Sequence, residues 1–350
     1  MDPTAADILK ILAIVVICFG VALVWTPWLI RWLKKHKMGK SIRDEASAPV
    51  MAKLHAAKAG TPTMGGLVIW ITVTGVILVL AGGCDWLGID LACRISFLSR
   101  GQTLLPLGAL VAAALVGLLD DYLNIRRIGP KGGGLRMRHR LLSYSAIALV
   151  AAVWFYTKLD WDVVHIPFGG DLPLGLWYIP FFAFVIVATS FSVNETDGLD
   201  GLAGGTLLAA FGAFGAIAFA AGKIDLAAFC AAIFGALLAF VWHNVTPAAF
   251  FMGDTGAMAL GTVLGIVAML TNQPLLLPLI GLPFVVETLS VLIQVTSKKL
   301  RKGKKVFRSS PLHHHFEAIG WGEPKIVMRF WVVAFVAAWI GAVIALVDHT

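Results

Sequence analysis

Asp120 and Asp121 stand side by side at the end of an apolar run, in GLLDDYLNIRR. Burying one carboxylate at the edge of a bilayer is costly, and a second beside it adds repulsion. A divalent cation with oxygen ligands, Mg2+ where phosphates take part, relieves both costs. Helix-end solvation with pairing to Arg126 or Arg127 is the plainer alternative, and the pair alone does not decide between them.

The string Asn194-Glu195-Thr196-Asp197-Gly198-Leu199-Asp200-Gly201-Leu202-Ala203-Gly204-Gly205 is more specific. Asp197 and Asp200 share a face wherever that stretch is helical. Its glycines let backbone approach a ligand closely and leave N–H groups for anions. Turns and helix caps account for single residues of the string but not for the whole of it. In Phe250-Phe251-Met252-Gly253-Asp254-Thr255-Gly256, Asp254 is either an N-cap or a further carboxylate of the same site. His243, Asn244 and Pro247 give that loop a polar character. Phe250 and Phe251 either stack on a base or anchor the loop at the interface, the second being favoured by residue type.

Three consecutive histidines, His313, His314 and His315, lie in PLHHHFE. Adjacent histidines cannot all face one metal from regular structure, so a zinc site built from them alone is not expected. Contacts to phosphate oxygens, or acid/base work near neutral pH, suit them better. Lys58, Thr61 and Thr63 precede Met64-Gly65-Gly66, the lysine serving either a phosphate or the membrane boundary. Glu287, in PFVVETLSV after Pro283, is a carboxylate inside an apolar run where a bent or broken helix is expected.

The elements that hold these residues must live in lipid. The chain is 59% hydrophobic and 14% charged, with a mean hydropathy of +0.85, where a soluble protein carries about a quarter charged residues. Apolar segments near 8–30, 63–82, 103–122, 140–158, 177–193, 201–221, 226–243, 255–271, 275–297 and 327–347 are long enough to span. They predict an all-α, polytopic integral membrane protein of about ten transmembrane helices, one domain over residues 1–350, with the ninth helix bent or broken.

The net charge of +8 follows from topology. Most of the 28 basic residues fall in three loops, within Arg31–Lys58, Arg126–Arg140 and Lys298–Arg329. Lys and Arg are retained on the cytoplasmic side, so both termini are expected outside, and nucleic acid is not required as a partner. Asp120, Asp121, Glu195, Asp197, Asp200 and Asp254 all fall at inner helix ends, which predicts an acidic centre facing the cytosol. Residues 1–7 lack the basic start of a cleavable signal. The four cysteines have no metal-ligand spacing, and free thiols are expected. Cys84 and Cys93 share an outer loop and would pair only if it faces an oxidising compartment.

In order, and over most of the chain, these strings resemble the motifs of the bacterial phospho-N-acetylmuramoyl-pentapeptide transferases (MraY), within the polyprenyl-phosphate N-acetylhexosamine-1-phosphate transferase superfamily. They are GTPTMGG (60–66), GLLDDYL (117–123), TDGLDGLA with its preceding Asn194, FMGDTG (251–256), ETLSV (287–291) and PLHHHFE (311–317). The GW and EP that follow, within 320–324, are similar to the muramoyl branch rather than to relatives using UDP-GlcNAc.

The resemblance implies a ten-helix homodimer in the bacterial cytoplasmic (inner) membrane, with periplasmic termini and its active site on the cytoplasmic face. Undecaprenyl phosphate would attack the β-phosphate of UDP-MurNAc-pentapeptide, giving lipid I and UMP with Mg2+ as cofactor. It implies catalytic roles for Asp120, Asp121, Asp254, His313, His314 and His315. Asp254 would be the foremost Mg2+ ligand, with Asp120 and Asp121 as further metal candidates and Asp121 as base or nucleophile. Substrate-binding positions would be Lys58, Thr63, Asn194, Asp197, Gly198, Asp200, Asn244, Phe251 and Gly253.

Three features depart from the family pattern. Asn124 replaces a lysine often found after DDYL, for which Arg126, Arg127 or Lys131 could compensate; Glu195 replaces an apolar residue; residues 130–135 read PKGGGL rather than a shorter KGL. They bear on substrate affinity and loop geometry rather than on reaction class. Two other readings compete. A transporter would use Glu287 near the midplane, though no internal repeat supports it, and a UDP-GlcNAc transferase would share most of the motifs.

Overall fold

The computed structural model describes residues 3–39, 58, 60–130 and 133–348. Lys40, Arg43, Lys53 and Lys131, counted above among the inner basic residues, and Gly132 of the PKGGGL stretch lie outside them. Thirteen α-helices are described, in the order α1 (Pro3–Lys35), α2 (Leu67–Asp85), α3 (Asp90–Ile95), α4 (Leu104–Ile125), α5 (Met137–Lys158), α6 (Tyr178–Thr196), α7 (Leu202–Ala220), α8 (Ile224–Asn244), α9 (Asp254–Leu270), α10 (Leu277–Ile280), α11 (Leu282–Leu300), α12 (Leu312–Ala318) and α13 (Glu323–Asp348). Eight of these carry segments long and apolar enough to cross a membrane, among the described residues. The chain is thus a mostly helical, polytopic membrane protein. Every apolar segment read from the sequence falls on a helix.

The other two segments differ for physical reasons. Helix α9 has 17 residues, and from Thr255 to Leu270 every one is buried. It packs against α4 and α6 and is sheathed by protein, so lipid thickness does not set its length. The ninth segment is broken, as the sequence predicts: α10 ends at Ile280, Gly281 interrupts, and α11 resumes. The outer helices instead show apolar side chains such as Val16, Val24, Leu78, Val150, Phe184 and Trp339 on the surface, the pattern of a bundle solvated by lipid.

Two features of the outer loops differ from the sequence reading. Residues 163–173 form a small antiparallel hairpin, β1 (Val163–Ile166) against β2 (Gly170–Pro173), in an otherwise helical chain. Cys84 and Cys93, expected as free thiols, are joined by a disulfide with their Cα atoms 4.6 Å apart. Helix α3 folds back beside the end of α2, and this brings together two cysteines that spacing alone leaves undecided. Cys18 and Cys230 are free and buried.

Candidate functional site

The site is built where the polar ends of α2, α4, α5, α6, α8, α9 and α13 meet. Its floor is a backbone joint between two motifs. Gly65 N–H donates to Phe251 O (2.7 Å), Gly66 N–H to Met252 O (2.8 Å) and Phe251 N–H to Pro62 O (2.8 Å), so GTPTMGG and FMGDTG pair like short strands. A Cβ on Gly66 would lie 2.3 Å from Gly256 Cα. The two chains approach this closely only because both positions are glycine.

Asp254 opens α9 on this joint. Asn194 Nδ2, from the end of α6, donates to Asp254 Oδ1 at 2.8 Å. Asp254 Oδ2 lies 2.8 Å from Arg140 Nη2, and the same nitrogen contacts Asp120 Oδ2. Asp120 Oδ1 also accepts Leu135 N–H. One guanidinium from α5 therefore sits between carboxylates of α4 and α9, with side-chain exposures of 1% for Asp120, 14% for Asp254 and 18% for Arg140.

Asp121 turns the other way. Its two oxygens accept the N–H groups of Asp254 (3.1 Å) and Thr255 (3.0 Å), capping α9 from the neighbouring helix. This places a carboxylate on the positive end of the helix dipole and fixes the angle at which Asp254 leaves the backbone.

The TDGLDG loop forms the next wall. Asp197 Oδ2 accepts Gly253 N–H at 3.2 Å, tying this loop to the FMGDTG turn. Asn244 is a clamp: it accepts Gly201 N–H through Oδ1 (2.9 Å) and donates through Nδ2 to Phe250 O (2.8 Å). Asp200 Oδ1 lies 2.6 Å from Lys58 Nζ, whose ammonium is 5.9 Å from the Phe251 ring. Thr63 is buried beside Gly253, near enough that a Cβ there would lie 2.8 Å from its hydroxyl.

The three histidines have three different surroundings. His313 is fully buried, with Nδ1 3.1 Å from Glu287 Oε2 and its backbone N–H donating to Glu287 Oε1 at 3.1 Å. Its Nε2 packs against Gly198, where a Cβ would lie only 2.1 Å away. His314 Nδ1 lies 2.8 Å from Glu317 Oε2, and His315 Nδ1 accepts Arg308 N–H at 3.1 Å. Both are half-buried on α12 itself. Glu287, a fully buried carboxylate of α11, is thus the anchor of the histidine helix.

Of the site residues named from the sequence, Asp120, Asp121, Asp254, Asn194, Asp197, Asp200, Asn244, Phe251, Gly253, Lys58 and Thr63 are linked by these contacts, and Gly198 meets His313, while His314 and His315 contact Glu317 and Arg308 beside them. Two participants were missed. Arg140 was read only as a topological charge, yet it lies four residues before Tyr144 and so extends the buried stripe Tyr144, Ala148, Ala151, Phe155 of α5. Glu323 was noticed only as part of the EP that follows the histidines. The cation meeting Asp120 is Arg140 rather than Arg126, which lies over the Tyr122 ring at 5.5 Å.

The donor chemistry suits a hard cation. Asp120 and Asp254 present anionic oxygens from separate helices to one point, now spanned by a guanidinium nitrogen, and oxygen-only sets of this kind hold Mg2+. No ready cluster of three His, Cys, Asp or Glu side chains exists among the described residues, so further ligands would come from substrate phosphates or water.

Comparison with known proteins agrees with this geometry. The family model described as Glycosyl transferase family 4 matches residues 103–272, from the start of α4 to just past α9. A signature described as phospho-N-acetylmuramoyl-pentapeptide-transferase signature 1 matches residues 58–69, the Lys58 to Ile69 segment of the joint. A phospho-N-acetylmuramoyl-pentapeptide-transferase of Chloroflexus aurantiacus is 39% identical over 353 residues, covering 97% of this chain and 91% of the relative. Those of Geobacillus sp. (strain WCH70) and Anoxybacillus flavithermus are 40% and 41% identical, each covering 93% of this chain and 95% and 94% of the relatives. With that identity sustained across nearly the whole chain, and with the shared signature lying in the wall of the carboxylate site, this chain belongs to the phospho-N-acetylmuramoyl-pentapeptide-transferase family.

Proposed function

We propose that the chain transfers phospho-MurNAc-pentapeptide from UDP-MurNAc-pentapeptide to undecaprenyl phosphate, forming lipid I and UMP for peptidoglycan synthesis. The observation that carries this reading is the convergence of Asp120, Asp254, Asn194 and Arg140 from four helices at one end of an apolar bundle. One substrate is a water-soluble anion and the other an amphiphile, so the reaction belongs where helix ends meet water.

In this reading a phosphate oxygen of the lipid attacks the β-phosphorus. The bond from that phosphorus to the bridging oxygen breaks, and UMP leaves with the electron pair. Phosphoryl transfer asks mainly for alignment and charge neutralisation. Arg140 and Lys58 supply fixed positive charge, while Asn194 orients Asp254. Asp197, Gly198, Asp200, Asn244, Phe251, Gly253 and Thr63 shape the nucleotide side, Asn244 and Asp197 by holding the loops together. Asp121, which accepts two backbone N–H groups, is assigned as base or nucleophile, and His314 and His315 as groups beside the substrate. Asp254 with Asp120 would hold Mg2+, which when bound neutralises phosphate oxygens; Asp121, the third metal candidate, is turned instead to the N–H groups of α9.

The membrane placement follows the same logic. The basic loops lie at the site end and the disulfide loop at the opposite one, supporting ten spans with periplasmic termini and a cytoplasmic site in the inner membrane. A homodimer is assigned from family resemblance alone.

Purified chain incubated with both substrates and Mg2+ is expected to release UMP, to stop when the metal is chelated and to resume on its return. UDP-GlcNAc offered in parallel is expected to give far less. Absence of UMP release, or preference for UDP-GlcNAc, overturns the assignment.

A further inference from the structure

The GW and EP residues after the histidines distinguish the muramoyl branch in sequence without explaining what they do. In the structure Trp321 stacks on Phe316 of α12, with centroids 4.7 Å apart and planes 18° apart. On its other contacts lie Lys325 Nζ at 5.0 Å and Arg329 Cζ at 4.4 Å. This stack docks the first turn of α13 on the histidine helix and aims Glu323 into the site.

Glu323 Oε1 lies 2.5 Å from Lys58 Nζ and accepts Asp200 N–H at 2.7 Å. Asp200 is fixed at the same time by Lys58 (2.6 Å) and by Ala248 N–H, which donates to Oδ2 at 3.1 Å. The Lys58, Asp200 and Glu323 side chains are only 19%, 3% and 14% exposed. A lysine head so enclosed is held in one orientation instead of sampling the freedom of its four-carbon stem.

We infer that Glu323 is a positioning residue for nucleotide-sugar binding, acting through Lys58: it fixes the ammonium and the Asp200 backbone as a preformed clamp for the uridine diphosphate portion of the donor. The inference rests on the function proposed above. Its energetic basis is preorganisation, since a side chain ordered before binding need not lose that freedom on binding. The chemical step proposed above draws on Asp120, Asp254 and Arg140, whereas Glu323 contacts Lys58 and the Asp200 N–H.

The test compares the unchanged chain with E323Q and E323A in two measurements: direct binding of UMP by calorimetry, and steady-state UMP release with each substrate varied. E323Q keeps the accepting oxygen but loses the charge, and E323A loses both. Nucleotide affinity and the KM for UDP-MurNAc-pentapeptide are both expected to worsen, by roughly threefold in E323Q and tenfold in E323A, with kcat and the lipid KM within about twofold. In a K58M background, E323Q is expected to cost nothing further, because residues in one network are not additive. Unaltered UMP affinity, equal losses in kcat and both KM values, or full additivity with K58M overturns the inference. Should the unchanged chain bind UMP yet release none from the donor, the proposed reaction fails while the binding arm still decides the role of Glu323. If it binds no UMP at all, both fall.

Discussion

The imidazole of His313 lies between a carboxylate and a glycine: Nδ1 is 3.1 Å from Glu287 Oε2, and Nε2 faces Gly198 with no room for a methyl group. Glu287 and His313 both have no exposed side-chain surface. Helix α11, the histidine helix and the TDGLDG loop are therefore connected through one ring.

Gly198→Ala is accordingly expected to be far more harmful than a methyl group on a polar loop would suggest. Overpacking of a filled interior costs about 1–3 kcal/mol, and here the strain falls on the loop that carries Asp197 and Asp200. A lowered unfolding temperature in detergent together with reduced UMP release is expected. Glu287→Ala should act from the other side, because it orphans the His313 backbone donor, at about 1–3 kcal/mol for a buried group left unsatisfied, and removes the carboxylate beside Nδ1. Wild-type stability and activity in either variant would show that the ring is not the connection described.

Arg140 is expected to be indispensable although it was read as a mere topological charge. Arg140→Met leaves Asp120 and Asp254 facing one another across a partly buried gap. Loss of one preorganised electrostatic partner typically costs about 10²–10³ in turnover, and a loss of that order is predicted. Arg140→Lys keeps the charge on a single nitrogen, as Nη2 now presents it to both carboxylates, but on a shorter stem with a more strongly hydrated head, so it should fall between the two. The readout is kcat for UMP release, with donor affinity followed separately. A kcat within a few-fold of wild type for Arg140→Met would remove the residue from the site.

The contrast between Arg140 and Asp254 shows what the sequence made legible. Carboxylates in apolar surroundings are conspicuous because they are costly there, so Asp120, Asp121, Asp254 and Glu287 stood out at once. A basic residue near a membrane boundary is what retention on the inner side already predicts, so Arg140 carried no visible excess information. Glu323 was hidden similarly, since an acidic residue in a first helical turn is ordinary. The ten apolar segments were legible from length and composition alone. The hairpin at 163–173 and the Cys84–Cys93 bond were not, because both depend on how outer loops fold back over the helices.

His165 gives a pH signature on the face opposite the site. Its Nδ1 lies 2.7 Å from Asp171 Oδ1, its Nε2 contacts Asp348, and Asp348 Oδ1 also accepts Phe168 N–H at 2.7 Å. Desolvation alone would lower the imidazole pKa, but the hydrogen bonds and charges of Asp171 and Asp348 outweigh it and hold the pKa above its ordinary value of 6.5. A raised folded-state pKa contributes stability that is complete below the unfolded value and is lost as pH rises through the folded one. The unfolding temperature is therefore expected to fall from below pH 6.5 towards alkaline pH, and His165→Asn should flatten that slope. An unchanged slope in the variant would assign the pH dependence elsewhere.

The disulfide makes the sidedness of the bundle directly measurable. Cys84, in the last turn of α2, and Cys93, in α3, lie at the opposite end of α2 from the Gly65 and Gly66 joint. Disulfides persist in oxidising compartments and are rare in the reducing cytosol. A bond closing so short a loop restricts the unfolded chain by about 2–3 kcal/mol, so Cys93→Ser should lower the unfolding temperature without moving Asp254 or Arg140. In intact cells treated with a membrane-impermeant reductant, an impermeant maleimide is expected to label this loop. Cys18 and Cys230 are buried within the helices and should stay unlabelled. Labelling only after the cells are broken would put the loop inside, and with it reverse the topology on which a cytosol-facing carboxylate site depends.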